Sequence, residues 1–345
     1  MRVVALVKGI DHVCTRYRVE AFRPYLEKDG YRLDLLSWPK SIFSKMVFPT
    51  QIGRVDVLIL QRKLASPWQM AWFRRLSKAL VFDFDDAVFY RNSYAKEGFH
   101  SPKRAKRFHH TVTKADYVVA GNDFLKAKAL ENDPNTNVLT IPTCVDTSRY
   151  PVAQHTERPF VDLVWVGSAS TLQGLLPLTS MFNETGEAIR RLRFKIICNH
   201  FLRLESLPVV ECIWSEATEV KDIVTADIGV SWVPPDPWSE GKCGLKVLQF
   251  MAAGLPVVAN PVGVQKQMVE HGKTGFLVET PEDFQRVVAR LVADPSLRRS
   301  MGLRARQRVE NEYDVAVGAR KWLQILGQFR DQQNPTNTKT LRNAA

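Results

Sequence analysis

Short apolar runs, rich in β-branched residues, recur along the whole chain and dictate what it can fold into. They lie at Val3–Val7, Tyr31–Leu36, Val55–Leu60, Ala79–Phe84, Tyr117–Ala120 and Val138–Ile141. A second set follows at Val161–Val166, Phe194–Cys198, Val209–Ile213, Ile228–Trp232, Pro256–Ala259 and Gly275–Val278. Helical patterns or loops separate them, Val19–Lys28 and Thr111–Ala115 among them. A short run without polar alternation suits a strand buried on both faces, and such strands belong to parallel sheets covered by helices. Two sets predict an α/β chain with two Rossmann-like domains, and 345 residues suffice for two cores. The break is expected near Tyr150–Pro159, where Pro151, Gln154, His155, Thr156 and Pro159 interrupt both periodicities. The domains are then 1–152 and 153–330. Pro281–Ala293, Pro295–Asn311 and Val315–Phe329 read as helices, the last expected to pack back on the first domain. The polar stretch 331–345, with Pro335, is expected to be disordered.

The five cysteines (Cys14, Cys144, Cys198, Cys212, Cys243) never form C-x-x-C. Reduced thiols in a cytoplasmic protein fit this better than a disulfide framework or a cysteine zinc site. The first apolar run is too short for a signal-peptide core, and no later run approaches the roughly 18 apolar residues of a membrane span. The net charge of +12 is lopsided: residues 1–150 carry 25 Lys+Arg against 15 Asp+Glu, and residues 151–345 carry 23 against 21. A basic first half points to an anionic partner. Lys103-Arg104-Ala105-Lys106-Arg107-Phe108-His109-His110 and Trp68-Gln69-Met70-Ala71-Trp72-Phe73-Arg74-Arg75 mix cations with aromatics. That mixture suits an anionic membrane surface, where each basic residue contributes about 1 kcal/mol, as well as it suits a solvated helix face. The histidines lack a third ligand at metal spacing, so no metal is expected. No nucleic-acid motif accompanies the positive charge, so no nucleic-acid partner is expected.

The densest chemistry lies between Trp238 and Val278. Gly241 and Gly244 permit a tight turn, and a helix from Leu245 to Ala253 follows, ended by Gly254 and Pro256. The amides at the helix start, with Lys242 and Lys246, form a candidate anion site, and Cys243 lies in the same turn. A glycine-capped helix bearing two surface lysines is the competing reading.

This segment resembles the donor-binding region of GT-B fold glycosyltransferases, family 4 of the retaining group. That family carries Glu-x7-Glu followed by Met-Ala-x-Gly-x-Pro-Val-Val-Ala, and Met251-Ala252-Ala253-Gly254-Leu255-Pro256-Val257-Val258-Ala259 matches the second element. Pro261-Val262-Gly263 and His271-Gly272-Lys273-Thr274-Gly275-Phe276-Leu277-Val278 follow in order. Arg16-Tyr17-Arg18, Asp116-Tyr117-Val118-Val119-Ala120-Gly121-Asn122, Ile141-Pro142-Thr143-Cys144-Val145-Asp146 and Val164-Trp165-Val166-Gly167-Ser168 also fit. The resemblance covers residues 1–330 and is most specific in the second half. It implies two domains facing across a cleft, a nucleotide-sugar donor as co-substrate with no metal or other cofactor, and a glycan or lipid-linked acceptor. The first glutamate of the pattern falls on Gly241, beside Glu240, and the second on Gln249, which keeps a hydroxyl acceptor but loses the charge.

By the same resemblance, Gly167, Ser168 and Trp214 are expected to contact the donor, together with Gly241, Lys242, Cys243, Gly244, Leu245 and Gln249. Asp85 or Asp86, in Asp83-Phe84-Asp85-Asp86, takes the place where relatives present a catalytic-site histidine, with Lys246 as its partner in catalysis. Helix capping or a metal-binding Asp-x-Asp are the other readings of that turn. Arg16, Arg18 and Arg62 follow strand ends and are expected to meet the acceptor or the diphosphate. The resulting expectation is a retaining hexosyltransferase of surface polysaccharide or glycolipid synthesis, cytoplasmic and peripheral on the inner membrane face. Its rivals are a nucleotide-sugar epimerase or hydrolase, and a non-catalytic sugar-nucleotide binder or partner subunit.

Overall fold

The computed structural model describes residues 1–39 and 50–333. Among them every apolar run named above contributes a strand, and each sheet is wholly parallel. One compact unit contains Met1–Cys144, Glu240–Cys243 and Val315–Ala345, and the other contains Val145–Ser239 and Gly244–Asp314. Most of the tail 331–345 lies outside the described residues.

In unit 1 the strands β1 (Arg2–Val7), β2 (Arg32–Ser37), β3 (Val55–Gln61), β4 (Ser77–Phe84), β5 (Tyr117–Ala120) and β6 (Val138–Thr140) lie in the order β2-β1-β3-β4-β5-β6. The register pairs Leu6 with Leu60 and Gln61 with Asp83, so the ends of β1, β3 and β4 lie side by side. Val3, Ala5, Val57, Ile59 and Val81 face a core that the helix Val315–Gln333 completes with Trp322, Ile325 and Leu326. Full burial of each such valine, leucine or isoleucine side chain contributes about 1.5–3 kcal/mol. On the opposite face Phe82, Phe84, Phe89 and Phe108 stack together. Phe108 is thus core, whereas the sequence placed it beside cations as part of a headgroup surface.

Unit 2 continues with β7 (Val161–Val166), β8 (Leu192–Ile197), β9 (Val209–Cys212), β10 (Ile228–Ser231), β11 (Val257–Ala259) and β12 (Gly275–Leu277), ordered β12-β11-β10-β7-β8-β9. Leu163, Trp165, Phe182, Phe194, Ile228 and Phe284 form its core. This unit begins at Val145, upstream of the proline-rich stretch. The Val145 N–H donates to the Tyr313 carbonyl at 3.0 Å, and the Thr147 hydroxyl donates to the Asp314 carboxylate at 2.6 Å. Those long-range bonds, invisible to local periodicity, decide where residues 145–152 belong.

Strand order reverses between β1 and β3 in unit 1 and between β7 and β10 in unit 2. In open α/β sheets such switch points leave a crevice at the carboxyl ends of the strands, where ligands bind. Among the described residues no helix is long and apolar enough to cross a membrane.

Candidate functional site

The β7/β10 switch point of unit 2 collects several of the expected donor residues. Gly167 and Ser168 follow β7 directly, and the helix Leu245–Ala252 follows β10 through a loop. Gly244 caps that helix in the left-handed region, φ 63°, with no capping side chain. Any other residue there would be strained, and a Cβ would lie 2.6 Å from the Met268 sulfur. The first bond of the helix ladder joins the Leu248 N–H to the Gly244 carbonyl, so the amides before Leu248 lie outside the ladder. Lys246 brings its Nζ 4.3 Å from the centre of the Trp165 ring, a cation–π contact that fixes a positive charge beside the residues after β7. Ser168 is exposed, its hydroxyl 2.9 Å from that of Ser170.

Gln249 lies on the buried side of the helix Leu245–Ala252. It is 2% exposed, and its amide donates to the Tyr150 hydroxyl at 3.3 Å. Trp214 is half-buried and its indole N–H donates to Glu219 at 2.9 Å. The glutamine side chain is thus buried within unit 2, and the half-buried indole braces the following helix through its N–H.

The ends of β3 and β4 in unit 1 carry a different chemistry. Arg18, from the helix Val13–Arg18, is fully buried; it pairs with the Asp83 carboxylate and donates to the Ile141 carbonyl at 2.6 Å. Burial pushes the Asp83 carboxyl up to about 6 against the pull of that guanidinium. The sequence placed Arg18 in a ligand cleft, but the structure spends it on holding β4 to the end of β6, with no exposed surface left for a phosphate.

Arg62 occupies the left-handed region at φ 57°, the one non-glycine residue to do so among those described. Its N–H donates to the Asp83 carbonyl at 2.7 Å. Its guanidinium is 3.3 Å from an Asp85 oxygen and also reaches Asp86 and the Cys14 sulfur. It is therefore engaged by two carboxylates and orients the expected catalytic pair Asp85 and Asp86. Burial pushes the Asp86 carboxyl up, opposed by Arg62 and Lys242. Burial likewise pushes the Cys14 thiol up to about 12. Arg16 lays its guanidinium 4.6 Å from the Tyr17 ring centre.

The turn Glu240–Cys243 belongs to unit 1, whereas Gly244, Leu245 and Lys246 belong to unit 2. The Asn122 amide donates to the Glu240 carbonyl at 3.2 Å and to the Lys242 carbonyl at 3.1 Å, while its oxygen caps the next helix by accepting from the Leu125 N–H. A Cβ on Gly121 would lie 2.4 Å from the Cys243 sulfur, and one on Gly241 would lie 2.7 Å from the Ala87 Cβ and 2.8 Å from its nitrogen. Position 241 has no room for a glutamate, which gives the altered Glu-x7-Glu pattern a steric basis. Cys243 is buried, and burial raises its thiol well above the usual range. Of the two expected lysines, Lys242 belongs to unit 1, where it acts on Asp86, and Lys246 belongs to unit 2.

Sequence reasoning found Gly121-Asn122 only as part of the resemblance, not as the partner of the turn Glu240–Cys243, and missed three residues at the β1/β3 switch point: Lys8, His12 and Lys63. Their signal was present in the register, since both lysines follow adjacent strand ends, but strand order cannot be read from one sequence. Elsewhere on unit 1, Trp68 is 73% exposed and stacks on Trp72 with ring centres 6.4 Å apart, while Met70 and Phe73 of the same helix are core. Lys103, Arg104 and Lys106 are exposed on the helix Pro102–Lys114. Among the described residues no three His, Cys, Asp or Glu side chains converge as metal ligands.

Residues 235–308 match the family described as glycosyl transferases group 1. A trehalose synthase of Pyrococcus horikoshii is 32% identical over 83 residues, 24% of this chain, and the chain spans 20% of that relative's length. A solved sucrose-phosphate synthase from Thermosynechococcus elongatus superposes with a TM-score of 0.75 at 15% identity, covering 96% of this chain and all of that one (100%). Anabaena HepE, solved with UDP and glucose, gives 0.66 at 14% identity over 95% of this chain and 100% of its own. At such identities the solved structures speak for the fold. Residues 235–308 thus resemble the group 1 glycosyltransferases, and the two parallel α/β sheets share the GT-B fold of the solved neighbours.

Proposed function

We propose that the protein is a glycosyltransferase that takes a hexose from a nucleotide-sugar and passes it, with retention, to a glycan or lipid-linked acceptor in surface polysaccharide or glycolipid synthesis. The observation that carries this reading is the uncapped start of the helix Leu245–Ala252, with Lys246 fixed on Trp165, at the β7/β10 switch point within the group 1 segment. Helix-start amides and an ammonium group suit the diphosphate of a leaving nucleotide without requiring a metal. Unit 2 thus supplies the donor site, and the neighbour solved with UDP and glucose supports a uridine donor. Unit 1 supplies the acceptor site, with Asp85 and Asp86 held by Arg62 to meet the acceptor hydroxyl. A thermal-shift screen of UDP-, GDP- and ADP-sugars tests donor binding; ligand at 100 times its Kd stabilises by ~2.7 kcal/mol. Product analysis with and without acceptor then separates transfer from hydrolysis or epimerisation, and Lys246→Met should weaken donor binding about tenfold. No shift with any donor would refute the reading.

The filled position at Gly241 and the buried Gln249 favour a second reading, a donor-binding partner subunit without turnover. It predicts the thermal shift without product. We further propose cytoplasmic, peripheral attachment of unit 1 to an anionic membrane through Trp68, Trp72, Lys103, Arg104 and Lys106. Equal co-sedimentation with anionic and neutral vesicles would exclude it.

A further inference from the structure

The carboxyl ends of β1 and β3 carry a group of cations that the donor chemistry does not use. The register brings Leu6 beside Leu60, so Lys8, one residue past β1, and Lys63, two past β3, leave the sheet from adjacent strands at the switch point. Lys63 places its Nζ 5.8 Å from the Trp38 ring, just past β2. Neither Lys8 nor Lys63 has a carboxylate partner among the described residues, whereas the neighbouring Arg62 is satisfied by Asp85 and Asp86. Two unneutralised ammonium groups beside a guanidinium repel one another, and one of them is half-buried.

His12 completes the group. It caps the helix Val13–Arg18, with its Nδ1 accepting the Cys14 N–H at 3.1 Å. Burial, Lys8, Arg62 and Lys63 all disfavour its cation, against the nearby Asp85, so the ring is neutral at pH 7. With Nδ1 occupied as an acceptor, the proton resides on Nε2. His12 is therefore a fixed hydrogen-bond donor and takes no proton from an acceptor hydroxyl.

Two ammonium groups with no carboxylate partner among the described residues, a neutral hydrogen-bond donor and a half-buried indole, set at a switch point, call for a compact dianion. We infer that this corner of unit 1 binds a phosphate monoester carried by the acceptor, with Lys8 and Lys63 as its counter-cations and His12 Nε2–H as its directing donor. This rests on the acceptor assignment to unit 1 and narrows it to phosphorylated acceptors. The phosphate belongs either to a soluble sugar phosphate or to a lipid headgroup.

The test is a titration of the full chain at saturating UDP, so that the donor site is occupied. Hexose 6-phosphate, the unphosphorylated hexose and inorganic phosphate form one arm. Vesicles of phosphatidylcholine with and without phosphatidic acid form the other. Binding of the phosphorylated sugar at least about tenfold tighter than the hexose, weakened about tenfold or more in Lys8→Gln/Lys63→Gln, supports the soluble source. The same dependence on phosphatidic acid supports the lipid source. Both lysines are at least partly exposed and repel each other, so the double variant should melt no lower than the wild type. Equal binding of hexose and its phosphate with no phosphatidic acid preference, or phosphate affinity unchanged in the double variant, overturns the inference. Either of those overturning results, obtained while UDP still shifts the melting of wild type and variant alike, leaves the donor reading standing while this one falls.

Discussion

Restoring the first acidic residue of the family pattern at position 241 is the obvious repair for this sequence, and the structure says it will fail. A Cβ added to Gly241 sits 2.7 Å from the Ala87 Cβ and 2.8 Å from the Ala87 nitrogen. Carbon atoms pack at about 3.5–4.0 Å, so the overlap approaches 1 Å and one of the opposing atoms is backbone. Ala87 is fully buried and its N–H donates to Asp86 at 3.1 Å, so the displacement passes to the carboxylate that Arg62 holds. Overpacking of this kind costs about 1–3 kcal/mol, a factor of roughly 5 to 150 in the folding equilibrium. Gly241→Ala should therefore lower the urea midpoint at unchanged m-value and reduce transfer, with Gly241→Glu worse on both counts. Combining Gly241→Ala with Ala87→Gly removes the closer contact but not the nitrogen, so recovery should be partial, with a coupling energy above about 0.5 kcal/mol. If Gly241→Ala stays within about 0.5 kcal/mol of wild type, or Gly241→Glu gains turnover, the steric account is wrong.

Asp83→Asn should destabilise unit 1 by about 3–5 kcal/mol in urea, because it strands the Arg18 guanidinium in a site with no solvent, whereas Arg18→Met/Asp83→Leu should lose less than the single change. A loss under about 1 kcal/mol for Asp83→Asn would contradict the pairing. The Cys14 thiol, pushed up to about 12, should alkylate at a rate that climbs tenfold per pH unit from 7 to 10 without levelling, where an ordinary thiol levels off near 9. The same shift means that its contribution to stability is complete below about 9 and declines as pH rises toward 12. Peptide mapping by mass spectrometry reads the rate, and a plateau near pH 9 would show an ordinary thiol.

The strands were legible because each is a buried run that needs no partner to be recognised: Val3–Val7 and Val161–Val166 declare themselves by apolarity alone. The glycine-started helix at Leu245 was legible for a similar local reason. What stayed hidden depends on distant pairings. Arg18 and Asp83 are 65 positions apart, so an arginine after a strand read as a contact for the acceptor or the diphosphate until the fold closed over it. Gln249 lies on the inward face of its helix, and its contact with Tyr150, 99 positions earlier, cannot be read from local sequence. Likewise Lys8 and Lys63 look like scattered charge until the sheet sets β1 against β3.

The helix Val315–Gln333 has a bearing on how the chain is made. It seals a core whose first strand begins at Arg2, so the ribosome releases β1 to β6 long before their cover exists. During that interval the nascent sheet exposes Val3, Ala5, Val57 and Ile59, surfaces that invite chaperone capture or self-association. A fragment ending at residue 152 would keep that exposure permanently.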